Sequence, residues 1–126
     1  MALEHEDLTA EIIGAAIEVH KTLGPGFLES IYENALVIEP RKCGLDVHQQ
    51  LEIPVYYDGI QVGQHRQDIL VENTIVVELK AVKAIEDVHF ATVRSYLKAQ
   101  KLRHGLILNF SATKLQPKRV ILNDEW

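Results

Sequence analysis

The sequence predicts an α/β fold of the α+β kind, a mixed sheet with three antiparallel strands flanked by helices. Three observations carry this. Apolar residues recur at helical spacing over 8–23 and again over 86–101. Between those stretches, two turn signals, Asp58-Gly59 and Glu72-Asn73-Thr74, separate three strand-like runs. Runs joined by turns this short pair as antiparallel neighbours. Two further short apolar runs follow the second helical stretch and make the sheet a mixed one.

Leu8, Ile12, Ala15 or Ala16, Val19 and Leu23 form the apolar stripe of a first helix, with Glu11 and Glu18 on other faces. Asp7 or Thr9 is placed to cap it. Gly24-Pro25-Gly26 then breaks the chain. A second helix runs from Phe27, with Leu28, Ile31, Ala35 and Ile38 on one stripe. Pro40 has no backbone N–H to donate, so this helix is expected to kink or end near Glu39. Val47 to Tyr57 reads as a strand, and Pro54 within it marks an edge position or a bulge. Ile60 to Val71 and Ile75 to Val82 are the next two strands. Glu86 to Lys101 is a helix that turns Phe90, Val93 and Leu97 toward a core. Leu106 to Phe110 and Arg119 to Leu122 are the last strands.

The chain has 126 residues, 47% of them apolar and 25% charged. That is the size of one domain spanning residues 1–126, with enough chain for a real core. No apolar stretch approaches the roughly 18 residues of a membrane span. The acidic N-terminus lacks an apolar leader, and the single cysteine excludes an internal disulfide. Both features point to a cytoplasmic protein. Cys43, beside Gly44 at a helix end, reads as a packing residue. The net charge of −5 argues against general adhesion to nucleic acid. Its distribution is uneven. Residues 1–79 carry 4 Lys/Arg against 14 Asp/Glu, and residues 80–126 carry 9 against 4. Such asymmetry marks a phosphate-facing surface or, equally, cations complementing a helix C-terminus.

The stretch Asp68 to Lys80 is the most informative. Along a strand, Glu78 and Lys80 share one face while Val77, Leu79 and Ala81 share the other. Asp68 lies across the turn and approaches Glu78 if the two strands pair. Two carboxylates and a lysine would then converge, the composition of a divalent-metal site for cutting phosphodiesters. On spacing alone, an ordinary ion pair on a half-exposed strand explains Glu78 and Lys80 as well.

A wider set of motifs bears on that choice. Gly26-Phe27-Leu28-Glu29-Ser30-Ile31-Tyr32 has the form G-x-x-E-x-x-Y and precedes Glu33-Asn34-Ala35-Leu36. Pro54-Val55-Tyr56-Tyr57-Asp58-Gly59, Asp68-Ile69-Leu70-Val71-Glu72 and Val77-Glu78-Leu79-Lys80-Ala81-Val82 follow in order. Tyr96-Leu97 and Gly105-Leu106-Ile107-Leu108-Asn109-Phe110 close the set. Together, over residues 8 to 122, they resemble the GxxExxY protein family, a branch of the PD-(D/E)xK nuclease superfamily. The resemblance implies a restriction-endonuclease-like core and a Mg2+- or Mn2+-dependent nuclease acting on DNA or RNA. It implies Asp68, Glu78 and the Leu79 carbonyl as metal ligands, Lys80 as the catalytic lysine and Glu29 as the helix-borne acid.

Tyr32 falls on nearly the same helix face as Glu29, so it is a catalytic candidate or a core aromatic. Glu29 also complements the start of its helix. Arg94, Lys98 and Lys101 recur along one side of their helix and, with Tyr96, are candidates for nucleic-acid contact. The family's glutamine before that tyrosine is replaced by Thr92, although His89, Thr92 and Tyr96 keep one polar face. Gln67 stands where the motif has proline. None of the six histidines falls at a zinc-like spacing; His65 and His89 are the two expected to approach the site. No Gly-rich phosphate loop or Ser/His/Asp pattern occurs. Two other classes compete with the nuclease. One is a non-catalytic module that binds nucleic acid or protein, and the other is a homodimer whose partner buries the Glu78–Lys80 face.

Overall fold

Both turn signals close hairpins. In the structure, a computed structural model that describes residues 5–111 and 113–123, strand β1 (Val47–Tyr57) pairs antiparallel with β2 (Ile60–Val71), and β2 with β3 (Ile75–Lys80). Asp58 and Gly59 take φ of 53° and 74°, and Glu72 and Asn73 take 53° and 50°. Positive φ at two successive turn residues matches the right-handed twist of the flanking strands. Helix α4 (Asp87–Gln100) carries the chain across the sheet to β4 (His104–Asn109), which lies parallel to β3. Parallel neighbours require such a crossover. Strand β5 (Gln116–Ile121) returns antiparallel and completes the order β1-β2-β3-β4-β5. The prolines obey this layout. Pro54 lies on edge strand β1 just before a register shift at Val55/Tyr56, and Pro117 lies on edge strand β5.

Helix α1 (Glu6–Leu23) buries Ile12, Ala16 and Val19, as its periodicity predicts. Neither expected cap is used. His5 is the N-cap, Asp7 lies within the first turn, and Thr9 is buried. The second helix starts two residues later than expected and is broken earlier. It divides into α2 (Glu29–Leu36) and α3 (Ile38–Lys42) at Val37. Pro40 cannot donate to the carbonyl of Leu36, four residues back, so the break falls there. The helix resumes because the Arg41 N–H bonds the Val37 carbonyl at 3.3 Å.

The sheet separates two cores. Ile12, Ala16, Tyr32 and Leu36 from α1 and α2 pack with Ile69, Val77, Leu79, Leu106, Leu108 and Phe110 on one face. Val93 and Leu97 from α4 pack with Leu70, Val76, Ile107 and Val120 on the other. At Gly105, α4 comes so close that a Cβ would lie 2.7 Å from Val93 Cγ1. Strand β3 ends at Lys80, two residues short of Val82. The Asn109 side chain takes over the ladder's work there: its Oδ1 accepts from the Val82 N–H at 3.2 Å and its Nδ2 donates to the Val82 carbonyl at 2.9 Å.

Cys43 is exposed and does not pack. A hydrogen bond with Glu11 raises its thiol pKa, which disfavours the nucleophilic thiolate. Among the described residues, no helix is long and apolar enough to cross a membrane.

Candidate functional site

The pairing of β2 with β3 runs through Ile69–Val77 and stops. Beyond that pair, the Leu79 N–H bonds Oδ2 of Asp68 at 2.9 Å. A side chain thus stands where a ladder carbonyl would be. The N–H and C=O of one strand residue point to the same edge, so the Leu79 carbonyl is directed to the side that holds Asp68.

Glu78 and Lys80 share a face of β3, as alternation requires. Their Oε2 and Nζ atoms are 3.6 Å apart, with side-chain exposures of 8% and 23%. Glu78 is therefore buried and Lys80 partly buried. Oε1 of Glu78 is buried without a hydrogen-bond partner. Its carboxyl is pushed up to about 8, first by burial and then by the neighbouring Asp68; Lys80 opposes the shift. Two carboxylates side by side, one of them dry, form an oxygen-donor pair that a hard divalent cation satisfies. Among the described residues, no three His, Cys, Asp or Glu side chains converge as a metal set. The Leu79 carbonyl, directed to the Asp68 side of the strand, is a further oxygen donor within the same stretch.

A family model matches residues 6–120 and describes the PD-(D/E)XK nuclease superfamily. The chain belongs to that superfamily. The crystal structure of SSO0001 is similar to it, with a TM-score of 0.60 and 15% identity over 95% of this chain and 61% of that one. At that identity the likeness bears on the fold alone. No curated protein matches the chain.

In this PD-(D/E)XK protein, the charged residues of the D/E-x-K motif, Glu78 and Lys80, lie under α4, and Asp68 lies at the parting of two strands. Helix α2 reaches the same end of the sheet. Glu29 is exposed, and its Oε2 accepts from the Ala81 N–H at 3.1 Å, one residue beyond Lys80. Tyr32 does not join it. The ring is fully buried and stacks on Phe110 at 4.5 Å. Its hydroxyl donates to the Gly24 carbonyl and accepts from the Phe27 N–H. Of the two readings of Tyr32, these contacts fit the core aromatic, which clamps the Gly24–Phe27 loop.

Glu33 escaped the sequence reading although it lies one turn after Glu29 on the same helix face. It is buried, and each oxygen is held by one carboxamide: Oε2 by Gln49 Nε2 and Oε1 by Gln50 Nε2, both at 2.9 Å. Gln100 also went unremarked, and Gln67 was read only as standing where the motif has proline. They form a reciprocal amide pair at 3.1 and 2.7 Å that fastens β2, next to Asp68, onto α4.

The polar face expected on α4 is only partly realised. His89 Nδ1 accepts from the Glu86 N–H in a capping box, and the Thr92 hydroxyl donates to the Val88 carbonyl. Tyr96 is the member that meets the acids. Its phenol is pushed up to about 12 by burial, then by the charges of Glu78 and Asp68. The Tyr96 ring meets His65 edge-on at 4.7 Å. Beside them, Lys98 and Lys101 line a cavity of ≈ 450 Å³ with Pro54, Tyr56, His65 and Ser95. Arg94 is exposed one turn earlier on the same helix.

Proposed function

We propose that this protein is a metal-dependent nuclease of the GxxExxY branch, hydrolysing phosphodiester bonds in DNA or RNA with Mg2+ or Mn2+. The observation that carries this reading is the buried, unpartnered Oε1 of Glu78 beside the carboxylate of Asp68. Holding a dry acid against a second one is unfavourable unless a cation shares them. Asp68, Glu78 and the Leu79 carbonyl are the hard oxygen donors that suit these ions. Bound there, such an ion supplies Lewis acidity toward a phosphoryl oxygen and lowers the pKa of water.

Lys80 is the compact cation beside Glu78 and would orient the attacking water or meet charge on the phosphate. Glu29, fixed on the Ala81 N–H, would assist from the end of β3. Lys98 and Lys101 in the groove, with Arg94 and Tyr96 on the same helix, would contact the phosphate backbone of the substrate. The test is cleavage of single- and double-stranded DNA and RNA with Mg2+ or Mn2+. Lys80→Ala and Asp68→Asn should each lower the rate by about 100-fold or more. No cleavage of any substrate, together with no metal binding by the intact protein, overturns the reading.

A second reading is a non-catalytic module that keeps the nuclease fold and binds nucleic acid or protein. The lack of a three-side-chain metal set among the described residues and the Thr92 hydroxyl spent on its own helix favour it. It requires association that neither chelation nor Glu78→Gln changes.

A further inference from the structure

Strand β1 breaks its own rule at Gln49 and Gln50. Neighbouring side chains on a strand face opposite ways, yet both of these reach Glu33. The cause is the backbone of Gln50, whose φ is +52° in the middle of the strand. That region is costly for a residue with a Cβ, and such residues persist where the surroundings hold them. The pairing of β1 with β2 passes from Gln49–Ile69 to Leu51–Gln67 and skips Gln50 and Asp68. The two unpaired residues face each other. Gln50 Nε2 lies 2.9 Å from Glu33 Oε1 and 3.5 Å from Asp68 Oδ1. Two carboxylates can accept only from the NH2 end of a carboxamide, so Glu33 fixes which end Gln50 presents to Asp68. Asp68 is then held at both oxygens, Oδ1 by Gln50 and Oδ2 by the Leu79 N–H.

We propose that Gln50 is a positioning residue for Asp68. Its left-handed backbone sends the carboxamide between Glu33 and Asp68, and Glu33, steadied by Gln49, keeps it there. This rests on the reading of Asp68 as a metal ligand. Groups that orient a ligand from behind commonly account for about 10- to 100-fold in metal affinity.

The experiment is Mn2+ titration of the full chain by calorimetry, paired with thermal melting in chelator. Glycine adopts positive φ freely. Gln50→Gly should therefore melt close to the wild-type temperature, the freed backbone offsetting the lost bond to Glu33, while binding Mn2+ about 10-fold more weakly. Asparagine also tolerates this backbone and keeps a shorter amide, so Gln50→Asn should fall between the two. Glu33→Gln should weaken Mn2+ binding as well, and adding it to Gln50→Gly should cause no further loss. Additive losses would break the proposed chain. A Gln50→Gly variant that binds Mn2+ within about twofold of wild type overturns the proposal alone. A wild-type protein that binds no Mn2+ overturns the metal reading of the site, and the proposal with it.

Discussion

The backbone N–H of Leu79 is bonded by the side chain of Asp68, at 2.9 Å, where a neighbouring strand would ordinarily supply a carbonyl. This one bond fills the gap that opens where β2 and β3 part. It anchors one acid against the strand that carries Glu78 and Lys80, two positions apart on a single face.

The raised carboxyl of Glu78 makes metal-free stability depend on pH in a definite direction. Its folded value is about 8 against an ordinary 4.5. The folded state therefore holds a proton that the unfolded state has released, and stability falls as pH rises between those values. Below them the penalty is absent, and above them it is complete. Glu78→Gln should remove it. In chelator at pH 8.5, urea unfolding should find the variant more stable than wild type by several kcal/mol, with the two converging near pH 4. A wild-type protein that gains stability across this interval, relative to the variant, would refute the assignment.

Tyr32→Phe separates a structural tyrosine from a catalytic one. It removes the hydroxyl that bonds Gly24 and Phe27 but keeps the ring stacked on Phe110. The expected cost is about 1–2 kcal/mol of stability. Mn2+ affinity should not change in a calorimetric titration. A weakened metal site with unaltered stability would return Tyr32 to the active centre.

Lys98 lines the groove next to His65, so Lys98→Ala tests the route of the nucleic acid. The slope of log affinity against log salt should become shallower by about one, whatever the sequence bound. Fluorescence anisotropy in chelator, where cleavage cannot proceed, reads this directly. An unchanged slope would place the phosphate path elsewhere.

Gly105→Ala tests how closely α4 is docked. The new methyl would lie 2.7 Å from Val93 Cγ1 and 3.4 Å from the Val76 carbonyl. Valine is stiff at χ1 and cannot swing aside cheaply, so a loss of about 1–3 kcal/mol is expected in urea unfolding. Adding Val93→Ala should return part of it, since the two changes share one contact.

The fold was legible because its punctuation is local. Asp58-Gly59 and Glu72-Asn73-Thr74 announce hairpins by residue type, and the pairing that follows brings Asp68 toward Glu78. Strand alternation alone placed Glu78 beside Lys80. Other features depend on neighbours that no local pattern names. The left-handed backbone of Gln50 occurs at a residue with no turn signature, and its cause lies in α2 and β2. Tyr32 shares a helix face with Glu29 by spacing, but eight residues are enough for the helix to meet both the loop before it and the Phe110 ring beneath it. Thr92 could be read as polar surface, whereas its short hydroxyl reaches its own helix first. Pro40 announced a break correctly but not its place, because the carbonyl it cannot bond lies four residues upstream.

The amide pair Gln67–Gln100 has a consequence for the conditions under which the protein works. It is fully buried at Gln67, reciprocal and uncharged. Counter-ions do not screen such a link, and no proton within the physiological range titrates it. On the proposed substrate path, the attraction of the groove for a polyanion would weaken as salt rises, while the seat of α4 beside Asp68 would not. Affinity and architecture thus answer to different variables, so that brine which empties the groove would leave its walls where they stand.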